Sequence, residues 1–181
     1  MKIKSTAATA LLALLYLIGA CLITMLAEAL LSNIINHIVV LSYAALTVIR
    51  IVIYSIGVTA FMGVIGYYEG YREAYCPVGE SLVGTLLAAV PHLLLAMLFR
   101  FQGFISGPVR FTAGLIHNGR GITYDTLINK TPYGLFLLVF AAYAALYAVT
   151  FTTAKYLGAQ KRVVDRADLR RGESEDAAAD S

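Results

Sequence analysis

Four long apolar runs constrain this chain more than any other feature. They cover residues 6–31, 38–67, 81–105 and 132–157. Each exceeds the roughly 20 mostly apolar residues that a helix needs to cross a bilayer. Only 14% of the residues are charged, against about 25% in a soluble domain, and the mean hydropathy is +0.74. The sequence therefore predicts an all-α integral membrane protein with four transmembrane helices, arranged as two hairpins.

The length of the chain allows one bundle and a short tail. Residues 1–158 form the predicted four-helix bundle, and its longest connection is the outer loop 106–131. Residues 159–181 form a predicted cytoplasmic tail that is basic at first and then acidic and disordered. The first run has the flanking features of a signal peptide but is longer than an h-region of about 7–15 residues. An uncleaved first helix is therefore predicted.

The distribution of Lys and Arg predicts the orientation of the bundle. With both termini in the cytoplasm, nine basic residues face inward, including Lys155 at the end of the fourth run, and three face outward, as the positive-inside rule favours. The chain is therefore predicted to be a multi-pass protein of the cell (plasma) membrane with cytoplasmic N- and C-termini. The basic residues at the end of the fourth run and just after it are placed to contact anionic lipid: Lys155, Lys161 and Arg162.

The connection 106–131 is the longest segment outside the runs. Apolar and polar residues partly alternate on each side of Asn118-Gly119, a dipeptide that favours a hairpin turn. A short extracytoplasmic β-hairpin is one prediction, and an amphipathic segment lying on the membrane surface is the other. Long connections often carry function. The segment is therefore the predicted contact for an external partner, through Arg110, His117, Arg120, Tyr124 and Asp125.

Apart from Lys155 at the end of the fourth run, four residues of the types His, Asp, Glu, Lys and Arg lie inside the apolar runs, where a charge at the helix centre costs about 2.5–3.5 kcal/mol on insertion scales. Two of them, Glu28 and Arg100, lie near the outer ends of the first and third runs. At a rise of about 1.5 Å per residue they reach a similar depth. They are predicted either to face each other or to reach the outer interface separately.

The other two, Arg50 and His92, lie deeper, near the middle of the second and third runs. Arg50 keeps its charge, and the predicted helix ends place no acidic residue of this chain at its level. It then needs backbone carbonyl groups, water, lipid phosphate or a group from another subunit. His92 follows Pro91, and one interpretation is that its ring bonds the carbonyl group that the proline frees.

Small residues predict close helix packing in two places. Gly66 and Gly70 have GxxxG spacing in the second run, which lets two helix backbones approach closely, although glycine is also common in membrane helices generally. The fourth run carries a predicted alanine seam at Ala141, Ala144, Ala145 and Ala148. The aromatic residues beside that seam are interpreted as packing residues: Phe140, Tyr143 and Tyr147.

The sequence contains no motif for catalysis. It has no HExxH, Walker or paired-aspartate pattern, and Cys21 and Cys76 form no CxxC or Cys/His cluster. No catalytic site, metal, cofactor or nucleic-acid partner is therefore predicted. The favoured function is a non-enzymatic assembly or accessory module that binds itself or another membrane protein. The alternative is a small oligomeric channel or transporter lined by Arg50 and His92.

Two stretches carry a family resemblance. Gly-Tyr-Tyr-Glu-Gly-Tyr-Arg at 66–72 is followed by Gly-Thr-Leu-Leu-Ala-Ala-Val-Pro at 84–91. Together they resemble uncharacterised small multi-helix membrane proteins of Gram-positive bacteria. The resemblance covers the second connection and the start of the third helix, and it implies no activity.

Overall fold

The computed structural model of the protein describes residues 3–73, 76–98 and 103–179. Nearly all of this part of the chain is helical, with the following elements: α1 (Ile3–Ile38), α2 (Tyr43–Glu73), α3 (Val78–Leu98), α4 (Gly103–Asn118), a 3₁₀ helix (Gly119–Gly121), α5 (Tyr124–Asn129) and α6 (Tyr133–Ala179). Four of these helices, α1, α2, α3 and α6, are long and apolar enough to cross a membrane. The predicted all-α class is confirmed, with four helices that could span a membrane, as predicted.

The two ends of the bundle carry different connections. The α1–α2 connection, the 3₁₀ helix and α5 lie at one end, which we call the loop side. The start of α1, the α2–α3 connection and the long extension of α6 lie at the other end, which we call the tail side. Helix α6 continues to Ala179, so it also includes the acidic residues for which composition predicts disorder.

The long helices pair mainly across the two predicted hairpins. The most extensive contacts join α2 to α6 and α1 to α3. Two apolar clusters fill the interior. One lies towards the tail side around Val58, Met62 and Phe151, and the other lies towards the loop side around Ala113, Phe136 and Phe140. Most large apolar side chains elsewhere are exposed, as a helix surrounded by lipid requires.

Glycines set the closest helix approach, between α2 and α6. A Cβ atom added at Gly70 would overlap the backbone of Lys155, and one added at Gly158 would overlap the backbone of Tyr67. Gly66 contacts the backbone of Phe151 in the same way. The GxxxG spacing therefore does mark a close approach, and both helices of that contact belong to one chain.

The alternation in 106–131 does not produce strands, and the predicted β-hairpin is wrong. Residues up to Asn118 belong to α4, whose Val109 and Ala113 are four residues apart and share one buried face. The Asn-Gly signal does mark a turn, because Gly119 has a positive φ of 52° and follows the helix end, where glycine is favoured. Helix α4 also contacts α1, α2, α3 and α6, so it packs within the bundle.

The connection between α1 and α2 lies at residues 39–42. This is later in the chain than the polar residues 32–37, which separate the first two apolar runs. Helix α1 runs to Ile38, and polar side chains at 32–37 bond to groups of the preceding helical turn. Ser32 Oγ donates to Glu28 Oε1 at 2.7 Å, and His37 Nδ1 lies 3.0 Å from the carbonyl oxygen of Asn33. Helix α2 then begins at Tyr43, just after Ser42, whose hydroxyl accepts from the backbone N–H of Ala45.

Candidate functional site

An ion pair lies inside the bundle towards the loop side. Arg50 Nε on α2 is 2.9 Å from Glu28 Oε1 on α1, and the two side chains are 28% and 10% exposed. The N–H direction does not meet hydrogen-bond geometry, so the contact is mainly electrostatic. The expectation that Arg50 has no acidic partner in the chain is wrong. The reason is the later connection, which brings Glu28 and Arg50 to nearly the same depth on adjacent helices.

The sequence also predicts Arg100 as a partner of Glu28. Arg100 lies outside the described residues, and so does its expected contact with Glu28.

Helix α4 covers the loop-side ion pair. The Arg50 guanidinium carbon lies 5.6 Å from the ring centroid of Phe111, a favourable cation–π distance. The preceding residue, Arg110, is only 8% exposed, and burial lowers the pKa of its guanidinium. Its electrostatic neighbours are the phenols of Tyr124 and Tyr43. Arg110 therefore lies within the bundle and is not available as the predicted surface contact.

The other predicted loop contacts remain at the surface. His117, Arg120, Tyr124 and Asp125 are all exposed. They lie on the end of α4, the 3₁₀ helix and α5, and thus share the loop side.

A small cavity lies at the centre of the bundle. Side chains from α1, α2, α3, α4 and α6 line it, and its volume is about 20 Å³, enough for about one or two water molecules. Most of its wall is apolar. Its polar groups come from three helices, α1, α3 and α6: Cys21, Thr85, His92, Tyr143 and Tyr147.

Two tyrosines of α6 bring hydroxyl groups to this cavity. The Tyr143 hydroxyl lies 2.7 Å from Ser55 Oγ and 3.1 Å from Thr112 Oγ1, which links α6 to α2 and α4. The Tyr147 hydroxyl is buried and has no hydrogen-bond partner within the part of the chain that the structure describes. A buried hydroxyl group needs such a partner, and a water molecule in the cavity would provide one.

His92 lies at the cavity, away from Arg50. It is 5% exposed, and its ring stacks on Phe140 with centroids 5.7 Å apart. Arg50 instead lies against Phe111. The structure therefore places the two predicted pore-lining residues in separate environments.

Polar groups continue from the cavity towards the tail side. Thr85 Oγ1 donates to the carbonyl oxygen of Ser81 at 2.8 Å, and Ser81 Oγ lies 3.4 Å from Thr152 Oγ1. One helical turn further along α6, Lys155 Nζ is 2.7 Å from Glu73 Oε2. The Lys155 side chain is 7% exposed, so it does not lie on the surface where the sequence predicts contact with anionic lipid.

Other charged groups on the tail side also have partners within the chain. Tyr16 donates to Glu69 Oε1 at 2.8 Å. Lys161 pairs with Asp165 at 2.8 Å, and Arg162 donates to the carbonyl oxygen of Tyr71 at 3.2 Å. Glu69 and Glu73 both lie on α2, and each contacts a side chain of another helix: Tyr16 on α1 and Lys155 on α6.

The hydroxyl groups of Ser55, Thr112, Tyr143 and Tyr147 were not predicted as site residues. One signal was present: Tyr143 and Tyr147 are four residues apart in a run of Ala, Leu and Phe, so their hydroxyl groups share a helix face. A buried tyrosine usually needs a partner for its hydroxyl. Among the described residues, His, Cys, Asp and Glu form no group of three that could hold a metal ion.

Comparison of the chain with protein-family models, curated proteins and solved structures gives no match.

Proposed function

We propose that this chain is a small membrane channel or transporter whose polar route passes through the interior of one subunit. The observation that carries the proposal is the series of polar side chains that crosses an otherwise apolar bundle. In order from the loop side, the series consists of Glu28 with Arg50, Ser55 with Tyr143 and Thr112, then His92, Tyr147 and Thr85 at the cavity, Ser81 with Thr152, and Lys155 with Glu73.

Membrane energetics support this proposal. Polar groups in the membrane interior are costly and usually face a water-filled cavity or a substrate path. The two ion pairs lie at opposite ends of the series. Each has one partner that reaches the surface, Arg50 at 28% and Glu73 at 41% exposure of the side chain. The central cavity of about 20 Å³ admits only water, so this arrangement is the closed state of the proposed route.

Flux measurements on reconstituted protein test the proposal. Liposomes containing the full chain are assayed separately for proton, chloride, potassium and glycerol entry, against empty liposomes. We expect one of these fluxes to exceed the background. Tyr147→Phe should reduce that flux several-fold because it removes a hydroxyl group at the cavity. Tyr68→Phe is the matched control because Tyr68 is 68% exposed on α2.

Two results would contradict the route. One is the absence of any flux above that of empty liposomes. The other is a flux that Tyr147→Phe and Arg50→Lys both leave unchanged in folded protein.

We further propose that the loop side faces outward and that both termini are cytoplasmic in the plasma membrane. The nine-to-three distribution of basic residues supports this orientation. In intact cells, a membrane-impermeant maleimide should label an Arg120→Cys variant and should not label Cys76 on the tail side. Because burial raises the pKa of the Cys76 thiol, opened membranes labelled at the same mildly alkaline pH serve as the control. Labelling of Cys76 in intact cells would show that the tail side faces outward and would contradict the proposed orientation.

An assembly module is the second candidate function. The GxxxG residues and Arg50, which favour it in the sequence, make contacts within the chain. Only part of the predicted alanine seam packs against other helices of the chain, however. Ala148 is buried, whereas Ala141 and Ala145 are exposed on α6, and small residues four apart favour helix association in membranes. Crosslinking in native membranes should then give an oligomer that Ala145→Ile weakens, and monomer alone would exclude this candidate.

A further inference from the structure

A groove on the loop side lies apart from the polar route. It runs between the first turns of α2 and the last turn of α4, and its volume is about 580 Å³, within the range of small-molecule sites, roughly 300–1,000 Å³. Four apolar side chains form its walls: Ala44, Ala45, Val48 and Leu115.

The groove has a polar end. Ser42, Gly119 and Arg120 lie there, and Arg120 is exposed on the 3₁₀ helix. Gly119 adopts a φ of 52°, which favours glycine, and a Cβ atom there would meet no atom within 4 Å. The backbone is therefore open at the residue that precedes Arg120. One cation beside open backbone suits an anionic headgroup with oxygen acceptors.

The other end of the groove continues as an apolar stripe along α2. Val48, Val52 and Ile56 follow Ala44 at intervals of four residues, so they lie on one helix face. The three larger side chains are 44%, 48% and 65% exposed. From Ala44 to Ile56 the helix rises about 18 Å, close to the roughly 15 Å thickness of the hydrocarbon part of one leaflet.

We propose that this groove binds one anionic phospholipid. Arg120 contacts the phosphate, the groove holds the upper part of an acyl chain, and the α2 stripe carries the rest of that chain towards the bilayer centre. Three observations support this occupant: the single cation at one end, the apolar walls, and a stripe as long as one leaflet. The proposal requires neither the polar route nor a particular orientation of the bundle.

Native mass spectrometry of the full chain in detergent tests this site. The protein is titrated with phosphatidylglycerol and, separately, with phosphatidylcholine. We expect one phosphatidylglycerol molecule to bind more tightly than phosphatidylcholine. Arg120→Gln should weaken phosphatidylglycerol binding about fivefold, since a Lys or Arg near a lipid surface contributes about that factor. Lys130→Gln is the matched control, because Lys130 is an exposed cation on the same side that does not line the groove.

A second pair of variants tests the apolar part of the groove. Ala45→Phe fills it and should weaken binding of both lipids. Ala142→Phe, at an exposed alanine of α6, should not. Equal weakening by Arg120→Gln and Lys130→Gln would show diffuse electrostatic attraction and overturn the proposal. Unchanged lipid binding in folded Ala45→Phe would also overturn the proposal. So would a change in the oligomeric state of that variant without a change in lipid binding, because the groove would then be a contact with a second copy. If Ala45→Phe does not fold, the comparison of Arg120 with Lys130 decides.

Discussion

Among the described residues, two ion pairs join different helices; they lie towards opposite ends of α2 and are held in different ways. On the tail side, glycines bring the backbones of α2 and α6 into contact, and Lys155 pairs with Glu73 beside that crossing. On the loop side, Arg50 reaches Glu28 and Phe111 through its long side chain. Backbone contact leaves no space for adjustment, whereas long side chains can change rotamer. If the proposed route opens by local movement, we therefore expect the loop side to move and the tail side to remain fixed.

The largest effect is expected from a substitution that forces α2 and α6 apart on the tail side, where the contrast predicts a rigid contact. Gly70→Ala places a methyl group where the backbone of Lys155 lies, and we expect a loss of stability of about 3 kcal/mol, the upper range for overpacking. Gly19→Ala is the control, because a Cβ atom there would meet nothing within 4 Å. Unfolding of both variants in the same detergent, followed by circular dichroism, measures the difference. A Gly70→Ala protein as stable as wild type would show that this crossing is not rigid.

A smaller difference is expected between the two ion pairs. Glu73→Gln leaves the ammonium group of Lys155 buried, at 7% exposure of the side chain, and should cost about 2 kcal/mol, less than the roughly 3–5 kcal/mol for a fully buried pair. Glu28→Gln leaves Arg50 at 28% exposure and still against Phe111, so it should cost about 1 kcal/mol because the guanidinium group can turn towards water. Denaturant titration of each variant in micelles compares them. A larger loss for Glu28→Gln would reverse the contrast.

The smallest expected effect concerns the hydrogen bond between α2 and α6 at the cavity. Hydrogen bonds between membrane helices contribute about 0.6 kcal/mol on average. A double-mutant cycle with Ser55→Ala and Tyr143→Phe should give a coupling free energy near that value. A coupling well above it would mean that the loop-side half of the bundle is held as firmly as the tail side. Zero coupling would mean that water satisfies both hydroxyl groups.

Apolar patterning predicted the four spanning helices because length and hydropathy decide whether a segment can cross a bilayer. It did not predict the end of α1. The polar residues at 32–37 resemble a turn, but Ser32 and His37 bond to groups one helical turn earlier and let the helix continue. That shift of a few residues moved Glu28 to the level of Arg50, so the error in the helix end hid the ion pair.

The loop between α3 and α6 was misread for a related reason. Partial alternation over a few residues fits both a strand and a helix, and the choice depends on which neighbours bury Val109 and Ala113. Those neighbours lie on α3 and α6, far away in the sequence. The cavity was hidden in the same way, because Tyr143 and Thr112 meet only once α4 has packed between the spanning helices.

Helix α6 is much longer than a membrane crossing requires. It is one continuous helix of 47 residues, about 70 Å long, and roughly 30 Å of it is needed to cross the hydrocarbon. The contacts of Tyr71 with Arg162 and Asp165 hold it to the end of α2, and about 20 Å of helix follows them. A tilt of about 10° at that point displaces Ala179 by roughly 4 Å. A small change in helix packing inside the bundle would therefore displace the far end of α6 by several ångströms.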